Sequence, residues 1–163
     1  ALPIWVNLPA RYKMTTPRYQ ELKKQAMGCF QFKGGELEII AGSFNDVKGP
    51  AQTFTPVHVY NLHLQQGGSF TLHFPANYNT GLLITRGKVK INETSANSDQ
   101  FILMANDGED FIIQATEEST LLVLAGEPIL EPLVAYGPFL MNSWDEINQA
   151  VEDFNNGKFG VLH

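Results

Sequence analysis

Val57-His58-Val59-Tyr60-Asn61-Leu62-His63-Leu64 is the stretch on which the fold turns. Successive side chains of a strand point to opposite faces. His58, Tyr60, Leu62 and Leu64 therefore share one face, and Val57, Val59, Asn61 and His63 share the other. The first face is the more apolar toward its end and is predicted to point inward, which leaves His63 outside. Similar short runs rich in Val, Ile, Leu and Phe occupy Pro3–Leu8, Glu36–Ala41, Ser69–Phe74, Gly81–Ile84, Lys88–Ile91, Gln100–Met104, Asp110–Gln114 and Thr120–Ala125. Turn formers such as Gln66-Gly67-Gly68, Thr85-Arg86-Gly87 and Asn106-Asp107-Gly108 separate them. Nothing of helical length lies between consecutive strands, so a helix-linked parallel sheet is disfavoured. An antiparallel barrel or sandwich is expected.

The pattern changes in the last quarter. Ser143-Trp144-Asp145-Glu146 fits a capping box, with the Ser hydroxyl and the Glu carboxylate each serving a free backbone amide. Ile147, Ala150, Val151 and Phe154 follow at helical spacing, and Asn156-Gly157 can close the helix through a left-handed residue. One helix is thus predicted over Trp144–Asn156. Gly126–Asn142 holds Pro128, Pro132 and Pro138 yet is too apolar for a free linker, so it reads as an extended strap lying on the body.

Composition bounds the function. The 163 residues suit one domain, with 44% hydrophobic and 17% charged side chains. A net charge of −6 argues against duplex nucleic acid and anionic membrane as direct partners. No run approaches the roughly 20 apolar residues that span a bilayer, and no signal segment opens the chain. A single cysteine, Cys29, excludes an internal disulfide. A cytoplasmic location is the default expectation. The opening Ala1, without Met, suggests a processed or truncated chain.

The search for chemistry finds little. Histidines stand at 58, 63, 73 and 163, with no His-x-His, HExxH or Glu-x-x-His pair to build a metal site. His58 and His63 fall on opposite faces of one strand. Cys29 has no basic neighbour before Lys33 and no identifiable His partner, so it reads as a small apolar side chain. The Gly pairs at 34–35 and 67–68 match no phosphate loop. Asn92-Glu93-Thr94 matches a glycosylation acceptor by chance, and the basic run Arg11–Lys24 reads as solvated surface. These residues describe an antiparallel β domain with a C-terminal helix and no visible catalytic group.

Other motifs are more specific. Ile4-Trp5-Val6-Asn7-Leu8-Pro9, Lys13-Met14 and Pro17-Arg18-Tyr19-Gln20 resemble the middle of pirin-family proteins. So do Val47-Lys48-Gly49-Pro50, Leu124-Ala125-Gly126-Glu127-Pro128-Ile129 and Tyr136-Gly137-Pro138-Phe139-Leu140-Met141-Asn142. The matches run in order along nearly the whole chain. The resemblance implies a bicupin parent of which this chain is the connecting strand and the C-terminal cupin. The implied fold is all-β: a cupin-type double-stranded β-helix (antiparallel jelly roll) with an N-terminal strand extension and one C-terminal helix. Its parts are a connecting strand and extended segment over 1–35, the barrel over 36–126, and the strap and helix over 127–163. The family's iron, held by three His and one Glu, belongs to the N-terminal cupin. Those ligand motifs have no counterpart here, so no cofactor and no catalytic residue is expected in this chain.

The resemblance further implies quercetin dioxygenase activity in bacterial members and iron-dependent transcriptional co-regulation in nuclear ones. The chain itself is expected to be a non-metal-binding cupin with a structural or interaction role and not an enzyme. The alternatives are part of an iron-dependent dioxygenase whose metal lies in another domain, or a barrel binding a small apolar ligand through His58, Tyr60, Phe70, His73 and Tyr78. Trp5, Tyr136, Phe139, Ile147, Val151 and Phe154 are the candidate packing surface. The expected partner is an N-terminal cupin of a parent chain or a second copy, with a homodimer or a swapped strand near Leu2–Leu8.

Overall fold

The structure is a computed structural model that describes residues 4–160. The larger of two compact units, Tyr19–Pro128, holds the β domain. Its strands are β1 (Gly28–Phe32), β2 (Gly35–Ala41), β3 (Ser43–Phe44), β4 (Val47–Lys48), β5 (Val57–Leu64), β6 (Ser69–His73), β7 (Asn79–Arg86), β8 (Lys88–Ile91), β9 (Thr94–Asn97), β10 (Phe101–Leu103), β11 (Asp110–Ala115) and β12 (Ser119–Gly126). A six-stranded sheet runs β1-β2-β5-β12-β7-β10, and a four-stranded sheet runs β6-β11-β8-β9. Pairing within both is antiparallel throughout.

The inward faces of the two sheets meet as a sandwich. Leu37, Ile39, Tyr60, Leu62, Leu64, Leu82, Ile84, Leu121 and Val123 come from one sheet, and Phe70, Leu72, Val89, Ile91, Phe111 and Ile113 from the other. The alternation of β5 is as expected: Tyr60, Leu62 and Leu64 are buried, and His63 stands outside beside Thr120. The tight β7–β8 turn needs Gly87, whose φ is +86° and where a Cβ would strike the Glu118 carbonyl and the Ser119 hydroxyl.

The smaller unit gathers residues 4–18 and 129–160. It contains the four-residue helix α1 (Ala10–Lys13), a hairpin of β13 (Val134–Tyr136) and β14 (Phe139–Met141), and the helix α2 (Trp144–Asn155). Helix α2 forms as the sequence implies. Ser143 Oγ accepts from the Glu146 amide at 3.3 Å while the Glu146 carboxylate accepts from the Ser143 amide at 3.1 Å. Ile147 and Ala150 are buried, and Gly157 with φ +72° closes the helix.

Two expectations are corrected. The strand over Pro3–Leu8 is not formed: residues 4–8 carry no sheet pairing, and Leu2 and Pro3 lie outside the described residues. Apolar alternation there lacks a neighbouring strand to pair with, and propensity alone does not make one. The strap over Gly126–Asn142 is not uniformly extended either. Gly137, with φ +55°, turns the chain so that Tyr136 faces Phe139 across a hairpin.

Candidate functional site

Two regions concentrate the side chains that could do something: one end of the sandwich, and the smaller unit. At the sandwich end, β5 presents His58 one turn of the pleat from Tyr60. Tyr60 Oη donates to the Ser43 carbonyl at 2.6 Å, and His58 Nδ1 lies 2.7 Å from the same oxygen atom Oη. The phenol proton is spent on Ser43, so the imidazole is the donor and carries its proton on Nδ1. The Nε2 lone pair is then the free one. Burial holds His58 below the ordinary imidazole value of 6.5 and pushes the Tyr60 phenol up. Gly42, with φ +79°, allows this approach, because a Cβ there would lie 2.5 Å from His58 Nδ1.

Of the five pocket candidates, three come together. His58 packs near Tyr60 and Tyr78, with centroids 5.8 and 6.0 Å away, and Phe74 joins them at 5.2 Å. Phe74 continues the inward alternation of Phe70 and Leu72 but was not singled out as a pocket residue from the sequence. Phe70 belongs elsewhere, in a cluster with Phe32 at 4.2 Å and Phe44 at 5.2 Å. His73 points outward, 2.9 Å from Asp110 and 3.9 Å from Glu109. Side chains fill this end, leaving about 60 Å³ beside Phe74, Tyr78 and Met104. Ordinary small-molecule sites hold about 300–1,000 Å³.

The family's iron can be tested against these side chains. Among the described residues no group of three or more His, Cys, Asp or Glu converges. His58 could offer only its Nε2, and His73 is on the opposite face of its sheet beside Asp110, so the residues present do not fit a His-rich iron site.

The smaller unit is different in character. Among the described residues, eleven of the fifteen exposed large hydrophobic side chains belong to it. Trp5 is 92% exposed, Tyr136 59% and Phe154 63%. Of the other interface candidates, Ile147 is buried, and Phe139 and Val151 are half-buried. Trp144, missed in the sequence because it opens the helix rather than joining its stripe, packs edge-on to Tyr136 at 6.3 Å. An open groove of about 710 Å³ lies within this unit, lined by Met14, Pro17, Phe139, Met141 and Phe159 among others. Polar ties fix its walls: the Ala10 amide and Asn142 Nδ2 both donate to Glu131, and Lys13 Nζ donates to Asn7 Oδ1 and to the Leu140 carbonyl.

The family model for the pirin C-terminal cupin domain matches residues 59–160. The chain belongs to that family. Pirin-family relatives align along almost all of it. A Pseudomonas aeruginosa protein that carries the provisional name quercetin 2,3-dioxygenase is 37% identical over 98% of this chain and 57% of its own length. The mouse protein named pirin is 32% identical over 98% of this chain and 57% of its own length. The crystal structure of a quercetin 2,3-dioxygenase from Acinetobacter baumannii superposes with a TM-score of 0.90 at 37% identity, covering 98% of this chain and 56% of that one. The pirin-like chain thus spans little more than half the length of the proteins it matches. These names correct one expectation: a chain standing apart from enzymes does not agree with relatives and a solved neighbour named as dioxygenases. The sequence misled because its motifs were read for this chain's residues alone, whereas the dioxygenase names belong to proteins nearly twice as long. Among the described residues no helix is long and apolar enough to cross a membrane.

Proposed function

We propose that this chain is the C-terminal cupin of a quercetin 2,3-dioxygenase-type enzyme, and that the iron is held by a separate cupin of a longer polypeptide. The chemistry supplied there would be oxidative cleavage of a flavonol by O₂. This chain contributes by docking: the smaller unit covers, and is covered by, the metal-bearing domain. The observation that carries the proposal is the concentration of exposed apolar side chains in one unit of a chain that resembles a dioxygenase along its whole length. Exposed apolar surface on this scale marks a partner surface more often than a solvent-facing one. Trp5, Tyr136, Trp144 and Phe154 are the anchors, being the large aromatic side chains that dominate docking energetics.

The test is flavonol turnover by the full-length polypeptide, followed by loss of flavonol absorbance together with oxygen uptake. Turnover that requires iron supports the assignment. A full-length protein that binds iron and leaves flavonols untouched removes the activity, and one that binds no iron removes the assignment altogether.

A further inference from the structure

We infer that the small cavity at the His58 end of the sandwich binds a short amino alcohol of the size of ethanolamine, its ammonium held at an acidic rim and its hydroxyl paired with Thr80. The site lies wholly within the larger unit and does not depend on where the iron sits.

The floor supplies the first observation. Thr80 lies on β7 with the inward parity of Leu82 and Ile84, and it is only 5% exposed. Its carbonyl accepts from the Met104 amide at 2.9 Å, but among the described residues its hydroxyl has no hydrogen-bond partner. Hydroxyls this deeply buried are nearly always paired, because an unpaired one gives up water for nothing in return. Thr80 lines the cavity, so the missing partner comes from within it. The walls around it are the buried Phe74 and Phe111 and the half-buried Tyr78 and Met104. They offer aromatic faces and a thioether, and no charge.

The rim supplies the second. Asp107, Glu109 and Asp110 line the cavity at its exposed edge, and no Lys or Arg lines it. Among the described residues the one basic side chain in ion-pair range of these acids is His73, 2.9 Å from Asp110 and 3.9 Å from Glu109. Three carboxylates against one imidazole leave the rim negative whether or not that ring carries a proton. The cavity therefore selects a cation. No three acidic or imidazole groups converge on one point, which disfavours a bare metal ion. Aromatic walls suit an organic ammonium instead. Size sets the rest. A volume of about 60 Å³ is too small for a flavonol. At roughly 15 Å³ for each water-sized group, it holds on the order of four non-hydrogen atoms. Four such atoms are enough for an ammonium and a hydroxyl joined by two carbons.

The test is an NMR titration of the isotope-labelled full-length polypeptide with ethanolammonium chloride at constant ionic strength, read at the Met104 methyl and the Thr80 amide. Ethylammonium, which lacks the hydroxyl, and ethylene glycol, which lacks the charge, are the comparisons. The expected result is a saturable shift at both probes, half-complete on the order of 1 mM for ethanolammonium and about fivefold weaker for each comparison. Thr80→Val should bring ethanolammonium down to the level of ethylammonium and leave ethylammonium unchanged, while Thr80→Ser keeps the preference. Asp107→Asn with Glu109→Gln should weaken both amines. No saturable shift, a response to ethylene glycol as strong as that to ethanolammonium, or displacement of the amine by calcium ions would each overturn the inference. So would an unaltered preference in a folded Thr80→Val. If Thr80→Val does not fold, the three titrations of the wild type still decide.

Discussion

At the residue scale, the hydrogen-bond chain from His58 through Tyr60 to Ser43 shows how one buried hydroxyl orders its neighbours. Tyr60 is fully buried, and its hydroxyl bridges an imidazole on β5 and a carbonyl on β3. Tyr60→Phe keeps the ring but strands the Ser43 carbonyl and the imidazole N–H. A loss of about 1–3 kcal/mol is expected in denaturant unfolding. Nitrogen-15 shifts of His58 should show the Nδ1–H tautomer in the wild type. Burial also gives a pH dependence with a definite sign. His58 has its folded value below 6.5, so the unfolded chain binds the extra proton first. The contribution is a penalty that is absent well above 6.5 and grows as pH falls through that value. Unfolding midpoints of wild type and His58→Gln, compared from pH 8 to pH 5, should converge as the pH drops.

At the element scale, what was legible and what was not divide along one line. Strands that bury one face were readable, because burial imposes a period of two: β2, β5, β6, β8, β11 and β12 lie within a residue or so of their expected limits. Helix α2 was readable because its cap is written in four consecutive residues. Missed were β1, β3, β4, β9 and the hairpin β13–β14, which are short or carry few core-facing side chains. For the candidate site, strand parity placed His58 and Tyr60 together but misplaced Phe70 and His73. Phe70 is on the inward face but at another end of the sandwich, which parity does not tell, whereas His73, an odd three residues along the same strand, falls on the outward face. Trp144 was read only as part of the helix cap, since its packing on Tyr136 is set by the hairpin turn. Helix α2 also offers a direct test of its cap. Ser143→Ala should cost about 1 kcal/mol, seen as faster amide exchange in the first turn and a lower unfolding midpoint. Asp153→Asn should leave that turn alone and loosen the last one, where Asp153 accepts from Lys158.

At the scale of the whole molecule, the two units are built on different terms. The larger one closes its own core: its largest buried side chains, including Leu37, Leu62, Leu82 and Leu121, are completely removed from water. The smaller one leaves most of its large apolar side chains outside. Substituting an exposed side chain costs within about 0.5 kcal/mol when nothing covers it. Phe154→Ala in the full-length polypeptide should cost more than 1 kcal/mol if the docked domain buries that ring. The same reasoning separates the two units' contributions to oxidation. If the ion sits in another cupin, removing the imidazoles of the larger unit should leave it in place. The most direct measurement is the iron content of the folded full-length polypeptide carrying His58→Ala and His73→Ala together. The account predicts iron in the same proportion as in the wild type, with flavonol turnover retained. Loss of that iron in the double variant would contradict it.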